Sequence, residues 1–376
     1  MKKRSTFVKI LKKSIPILVH LACISLVWFI VAGCIRRYND FQTRALTNVK
    51  PTSDAKEFVA FTICPGYRDS FKVQELEKYN TSVRKYRKGD FMGNKTDGDP
   101  LEIFKDVTFD VHELVRVIRV HIRGEVGKNI IYLMCQNEAD HCPSDFHLNY
   151  GIGRMIIPHG DDWNEQKLAN LYKFKEHNHH KFGRCFEIQF RENLIKRGIH
   201  RVAIWTNHGR TIYIYLNSPG QFRRIDETSR IISIQGEYQS IDVHYTVEVD
   251  SLGKKSYMPC SSEMNKRLDE CIYKKTAKIL MKLHNCILPF LPHDGLHPIC
   301  KSANETDVSN YIYLVYDNQR AMCGLPCKRM IVNFGNEMRE KSYYPDKSYL
   351  NVYFKSTAQY TKIVMDYPFV SMLAGE

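Results

Sequence analysis

The chain has 376 residues, 43% of them hydrophobic, with 55 Lys and Arg against 41 Asp and Glu. That is enough apolar material to bury one large core or two ordinary ones. The formal charge of +14 would hint at nucleic acid in a nuclear protein, but no Arg-rich run or zinc-finger spacing supports that partner.

The chain opens on a basic tail, residues 1–14, with Lys2, Lys3, Arg4, Lys9, Lys12 and Lys13 and no acid. Residues 15–35 then contain no Lys, Arg, Asp or Glu. At 1.5 Å per residue a helix of this length just crosses a hydrocarbon core of about 30 Å. It also satisfies its own backbone polar groups, which lipid does not do. The basic tail predicts a cytoplasmic N-terminus, placing residues 36–376 outside the cell or in the lumen. A cleaved signal peptide, with Ala32 and Gly33 as small residues, and a lipoprotein signal ending at Cys34 are the alternatives, and both also export the remainder. Once the tail is set aside, the exported part is only mildly basic.

Residues 36–56 are polar and read as a connector leaving the membrane. Residues 57–64 are rich in β-formers and read as a strand. Residues 76–100 are polar and charged, loop with some helix. Residues 110–122 place Val111, Leu114, Val115 and Ile118 at helical spacing. Short β-rich runs follow at 202–205, 211–216, 230–234 and 241–249, separated by turn residues, which is the pattern of antiparallel sheet. Residues 262–283 return to a helical period, with Met264, Leu268, Cys271, Ile272, Ile279 and Leu283 on one face. Two more strands are expected at 311–316 and 349–355. The order predicts an α+β architecture.

Of twelve cysteines, Cys23 and Cys34 lie in or beside the apolar run, where they would be free or acylated. Ten lie beyond it: Cys64, Cys135, Cys142, Cys185, Cys260, Cys271, Cys286, Cys300, Cys323 and Cys327. An even number in an oxidising compartment reads as disulfides. The Cys323–Cys327 spacing would also suit zinc, and disulfides are the preferred account in an exported chain. His177, His179 and His180 read as a solvated loop rather than a metal site. Asn80, Asn94 and Asn304 each head a glycosylation sequon. The sequence has no GxSxG elbow, HExxH pair, phosphate-binding glycine loop or EF-hand, so nothing in it argues for an enzyme, a metal or a cofactor.

Several phrases, in order, resemble the degenerin/epithelial sodium channel superfamily, which includes the acid-sensing channels. Phe61-Thr-Ile-Cys64-Pro resembles its P-x-V-T-I-C strand after the first span. Gly183-Arg-Cys185-Phe resembles G-x-C-Y-T-F, and Ser218-Pro219-Gly220-Gln221-Phe222 resembles H-x-P-G-Q-F. Cys271 to Cys286, followed by Pro289-Phe-Leu-Pro292, is similar to the thumb helix and its turn. Cys323-Gly-Leu-Pro326-Cys327 resembles C-x-x-P-C. Val352-Tyr-Phe354-Lys and Tyr367-Pro-Phe-Val-Ser371-Met-Leu373-Ala374 resemble I-Y-F and Y-x-x-x-S-L-L-A.

The resemblance implies a β palm, a small β-ball, and finger, knuckle and thumb helices. It implies the pairs Cys64–Cys185, Cys135–Cys142, Cys260–Cys327, Cys271–Cys323 and Cys286–Cys300. It implies a subunit of a homo- or hetero-trimeric sodium channel in the plasma membrane, contacting lipid through residues 15–35. Asp161, Asp162, Glu263 and Glu270 are then candidates for proton sensing. Tyr257, with Tyr38 or Phe41, is a candidate wrist contact above the membrane. The family's cytoplasmic His-Gly motif is not found in residues 1–14. The family continues past L-L-A into a filter and a second span, whereas residues after Ala374 are Gly375 and Glu376, so the expectation is a chain lacking its pore helix. A non-conducting membrane-anchored receptor or regulatory subunit is the alternative.

Overall fold

The computed structural model describes residues 19–33, 43–51, 58–94, 98–123, 130–135, 171–179, 181–207, 210–219, 230–251, 260–291, 295, 297–312, 323–341 and 348–365. Its strands, in chain order, are β1 (Thr43–Pro51), β2 (Ala60–Pro65), β3 (Val115–Ile122), β4 (Ile130–Cys135), β5 (Tyr172–His179), β6 (Gly183–Phe190), β7 (Ile199–Thr206) and β8 (Ile212–Asn217). Then come β9 (Arg230–Ile234), β10 (Glu237–Asp250), β11 (Cys260–Ser261), β12 (Leu325–Pro326), β13 (Lys328–Lys341), β14 (Ser348–Phe354) and β15 (Thr357–Met365). An eight-stranded sheet runs β1-β15-β10-β14-β7-β3-β4, with β13 also on β10. A five-stranded sheet runs β5-β6-β2-β8-β9, and β11 pairs with β12.

The two large sheets share one core. From the five-stranded sheet it takes Phe61, Ile63, Phe186, Ile188, Ile212, Ile214 and Leu216, and from the eight-stranded sheet Ile118, Val120, Val202, Ile204, Val243, Tyr245, Leu350 and Val352. Alternation along each strand sends these side chains to one face and polar ones to the other. Phe58 sits at the junction, its ring centroid 4.6 Å from Phe354, 5.6 Å from Tyr245 and 5.8 Å from Phe190. Such edge and tilted contacts add about 0.5–1.5 kcal/mol per pair beyond area burial.

A second core belongs to the helices. Short helices Val73–Lys78, Val83–Arg87 and Pro100–Val107 contribute Leu76, Tyr86, Ile103, Phe104 and Val107. The long helix Met264–His284 answers with Leu268, Ile272, Ala277 and Leu280. Its N-terminus is met by the β11–β12 pair, and its C-terminus ends at Asn285 in the left-handed conformation, φ 56°. The buried stripe therefore runs through 268, 272, 276 and 280. Leu283, expected on that face, is 66% exposed.

Three expectations need correction. Residues 110–122 split into a four-residue helix, Val111–Leu114, and strand β3. Asp110 and Glu113 form a capping box that starts the helix, and pairing with β7 ends it. Val111, Leu114, Val115 and Ile118 are buried either way, so helical spacing alone did not discriminate. Residues 43–51, within the expected connector, form β1 because β15 supplies a partner edge. Tyr311 and Ile312 close the helix Glu305–Ile312 rather than opening a strand.

The helical core is tied to the loop before that last helix at one tight point. Ala303 N–H donates to the Gly89 carbonyl at 2.9 Å, and Gly89 has φ 114°. A Cβ on Gly89 would stand 1.9 Å from the Ala303 carbonyl oxygen. Gly89→Ala is therefore expected to destabilise the chain by about 2 kcal/mol or more, since both the conformation and the contact must give. Thermal or urea unfolding under non-reducing conditions measures it, and an unchanged midpoint contradicts this packing.

Candidate functional site

The long register between β1 and β15 has the geometry of a mechanical link. Thr43 pairs with Met365 and Pro51 with Thr357, antiparallel and without a slip. The Thr47 and Thr361 hydroxyls lie 3.4 Å apart across it. Nine paired residues at about 3.4 Å each make a ribbon of roughly 30 Å. Because the strands are antiparallel, residues 43 and 365 lie together at one end of the ribbon, the end from which the chain leads back toward helix 19–33 and on toward its closing residues, while 51 and 357 mark the other end. β15 in turn runs parallel to β10, end to end with β14. Val243 pairs with Phe354 and Thr246 with Gln359, so the chain carries extra residues between β14 and β15, where Lys355 N–H donates to the Val243 carbonyl at 3.2 Å. β10 is thereby joined through β15 to the ribbon over residues 359–363.

Four disulfides lie among the described residues: Cys64–Cys185, Cys260–Cys327, Cys271–Cys323 and Cys286–Cys300. These are the same partners that the family resemblance implies. Cys64–Cys185 pins β2 to β6 behind the main core, beside Phe182 and Tyr215. The other three bind both ends and the middle of the long helix to the loops around it. Cys142 and the side chain of Cys135 lie outside the described residues. Cys23 is a free, exposed thiol.

The face of the five-stranded sheet turned away from the main core holds buried charge. His177 Nε2 lies 2.7 Å from Glu187 Oε2, with side-chain exposures of 3% and 0%. His179 is also buried, its Nδ1 accepting the Lys181 N–H at 3.0 Å. The solvated-loop reading of these histidines is thus corrected for 177 and 179, which belong to β5; His180 lies outside the described residues. The spacing of alternate histidines was the missed signal, because period two puts 177 and 179 on one strand face. Arg184, next along β6, carries this sheet to the helical part: its Nε donates to Thr108 Oγ1 at 3.1 Å and its guanidinium reaches Asp110 at 3.3 Å.

A cationic and aromatic strip covers the outer face of β3, β7 and β14. The Arg119 guanidinium sits 3.9 Å from the Trp205 ring centre, Trp205 packs edge-on against Tyr349 at 5.2 Å, and Arg201 Nε donates to Asn351 Oδ1 at 2.9 Å. His121 and His200 face each other at 6.0 Å. Burial, then Arg201, His200 and Arg119, pushes His121 down to about 4. Burial, with Arg123 and Arg201, lowers His200 too.

The remaining sequence candidates are scattered. Asn80, Asn94 and Asn304 are all exposed, Asn80 with φ 52°. Glu263 is the exposed residue preceding the long helix, and Glu270 accepts from Lys274 Nζ at 2.6 Å one turn on. Asp161, Asp162, Tyr38, Phe41 and Tyr257 lie outside the described residues. Among the described residues no cluster of His, Cys, Asp and Glu could hold a metal ion.

The described residues form a disulfide-stapled β domain whose first and last strands pair, preceded in the chain by an apolar helix. The chain belongs to the amiloride-sensitive sodium channel family, whose model matches residues 3–374. It is accordingly an ion-channel protein of the sodium-transporting, amiloride-sensitive class rather than an enzyme. No curated protein sequence matches it. A solved structure described as a proton-activated chloride channel, studied by cryo-EM, aligns over 96% of this chain and 89% of that one, at 7% identity and a TM-score of 0.30, a likeness too slight to argue from.

Removing the imidazole from the buried pair leaves Glu187 without it in a dry site. His177→Ala is expected to cost about 3–5 kcal/mol, and His177→Gln less, because an amide still donates. Urea unfolding of both variants with disulfides intact decides it; equal, small losses would show the pair to be dispensable. The strip makes a pH prediction. An unfolded histidine titrates near 6.5. With the folded pKa of His121 near 4, the unfolded chain binds more protons between these values. Its contribution is present above about 6.5 and is lost as pH falls through that window. Melting temperatures from pH 7.5 to 4.5 should fall less steeply for His121→Gln than for the parent chain.

Proposed function

We propose that the chain is a subunit of a trimeric sodium channel of the plasma membrane. In this reading residues 1–14 form the cytoplasmic tail, 15–35 a membrane span and 36–376 the outer domain. Among the described residues no helix is long and apolar enough to cross a membrane, the described part of the apolar run being residues 19–33. That part is helical, and its large apolar side chains have no protein over them: Trp28 is 72% and Phe29 78% exposed. Its Ser25 hydroxyl donates back to the Leu21 carbonyl at 2.8 Å, so that polar group is satisfied within the helix. Lipid is the environment in which such a surface is stable.

The observation that carries the mechanism is the β1–β15 ribbon. It supports a scheme in which a change in the outer domain moves β10, β10 moves the ribbon, and the ribbon pulls on the membrane span from the end where residues 43 and 365 pair. Family membership supports sodium as the permeant ion in this reading, with like or related subunits completing the trimer.

Co-expression with a full-length channel of the family tests the proposal. Residues 1–376, tagged at the N-terminus, are expected to reach the surface, co-purify in a trimeric complex and alter amiloride-sensitive sodium current. The tag should resist protease on intact cells, while Asn94 or Asn304 carries glycan. A glycan-free chain with a digestible tag would overturn the orientation, and a monomer with no effect on current would overturn the assembly.

A further inference from the structure

A cavity of about 510 Å³ opens where β9, β10 and β13 converge, apart from the ribbon and the buried charges. Ile231, Ile232, Ile241 and Phe334 form its apolar wall; Gln239, Asn333, Glu337 and Arg339 form the polar one. Ile232 and Ile241 are buried, whereas Ile231 is 48% exposed.

A β-bulge creates this arrangement. Ile241 pairs with Glu337, but Val243 pairs with Phe334, so three steps on β13 oppose two on β10. In a regular strand residues 334 and 337 would face opposite sides; the slip lets both line one space. Gly335 lies inside the bulge, where a Cβ would approach the Asp242 Cβ to 3.3 Å.

The polar wall is incomplete in a specific way. Gln239 is 1% exposed, and its Nε2 donates to Glu337 Oε1 at 2.7 Å. A carboxylate only accepts, so the amide nitrogen must face it and the amide oxygen must face away. That oxygen is buried and has no hydrogen-bond partner among the described residues. Buried acceptors are rarely left so, and the cavity that Gln239 lines is large enough for a small molecule, for which pockets run roughly 300–1,000 Å³, so an occupant reaches this oxygen by a small turn of the amide. Arg339 Nε donates to the same Glu337 oxygen, so the carboxylate charge is already answered and an occupant need not be cationic.

The geometry points to a ligand site for an uncharged amphipathic small molecule, its apolar body against Ile231, Ile232, Ile241 and Phe334 and an N–H or O–H donor on Gln239 Oε1. The inference stands on cavity and hydrogen-bond chemistry, independent of the channel reading.

Two probes that differ in the donor test it: naphthalene-2-carboxamide and its N,N-dimethyl form, titrated into the purified full chain in detergent and followed by saturation-transfer NMR. The primary amide should bind about tenfold more tightly than the dimethyl form, the worth of one hydrogen bond. Gln239→Leu should bring the amide down to the dimethyl level. Ile231→Trp fills the space from a half-exposed position that tolerates bulk and should weaken both probes, so the test survives if the glutamine variant does not fold. No binding of the amide up to its solubility limit, equal affinity for both probes, or unaltered binding in Ile231→Trp would overturn the site and leave the cavity to water.

Discussion

The junction between the two large sheets carries the rest of the molecule. Phe58 and Phe61, from the segment entering β2, meet Phe190 of β6 and Phe354 of β14 in one aromatic cluster. With the aliphatic side chains around it, this cluster makes the two sheets a single hydrophobic unit. Everything with a possible mechanical role hangs from a strand that enters it. β10 contributes Val243, Tyr245 and Val247 to the core and, along its edges, positions β13, β14 and β15. A strand fixed by burial in its middle and paired along both edges conveys displacement along its length rather than absorbing it.

The helical part follows different physics. Its core is smaller, built on Leu76, Phe91, Phe104, Leu268, Ile272 and Leu280. The long helix is studded with exposed lysines on its far side, so burial along one stripe is supplemented covalently. Cys271–Cys323 and Cys286–Cys300 close separations of 52 and 14 residues around it. Bridges of this kind typically contribute about 2–4 kcal/mol, much of it by restricting the unfolded chain. A helix held in this way can shift as a body while its own turns remain intact.

Several polar ties run between the two parts. Arg184 bonds to Thr108 and Asp110, and Arg87 donates to the Tyr67 and Lys181 carbonyls and to Ser70. Charge-assisted hydrogen bonds are directional and so fix the orientation of one part on the other. The β domain and the helices are therefore joined by directional charged hydrogen bonds and by the Cys260–Cys327 bridge, while each keeps its own interior. That division suits a channel's outer domain, in which a stimulus at the periphery must reach the membrane through a stiff element.

Much of this was written in the sequence. The apolar run, the even set of outer cysteines, the β-rich runs between 202 and 249 and the period of 262–283 each follow from local chemistry. So does the family, through phrases set by disulfides and turns. The sequence was silent where the partner decides. β1 is exposed, with no alternating buried face, and becomes a strand because β15 lies beside it; β3 satisfies helical and strand spacing alike, and β7 chooses. His177 reads as a solvated loop residue until Glu187 and a covering layer bury it. The cavity beside Gln239 depends on a register slip between β10 and β13, which no spacing reveals. Local periodicity and cysteine number are properties of neighbours along the chain, so the sequence determines them alone. Which edge pairs with which, and which charge is stranded away from water, are relations between distant segments, and those only the tertiary structure decides.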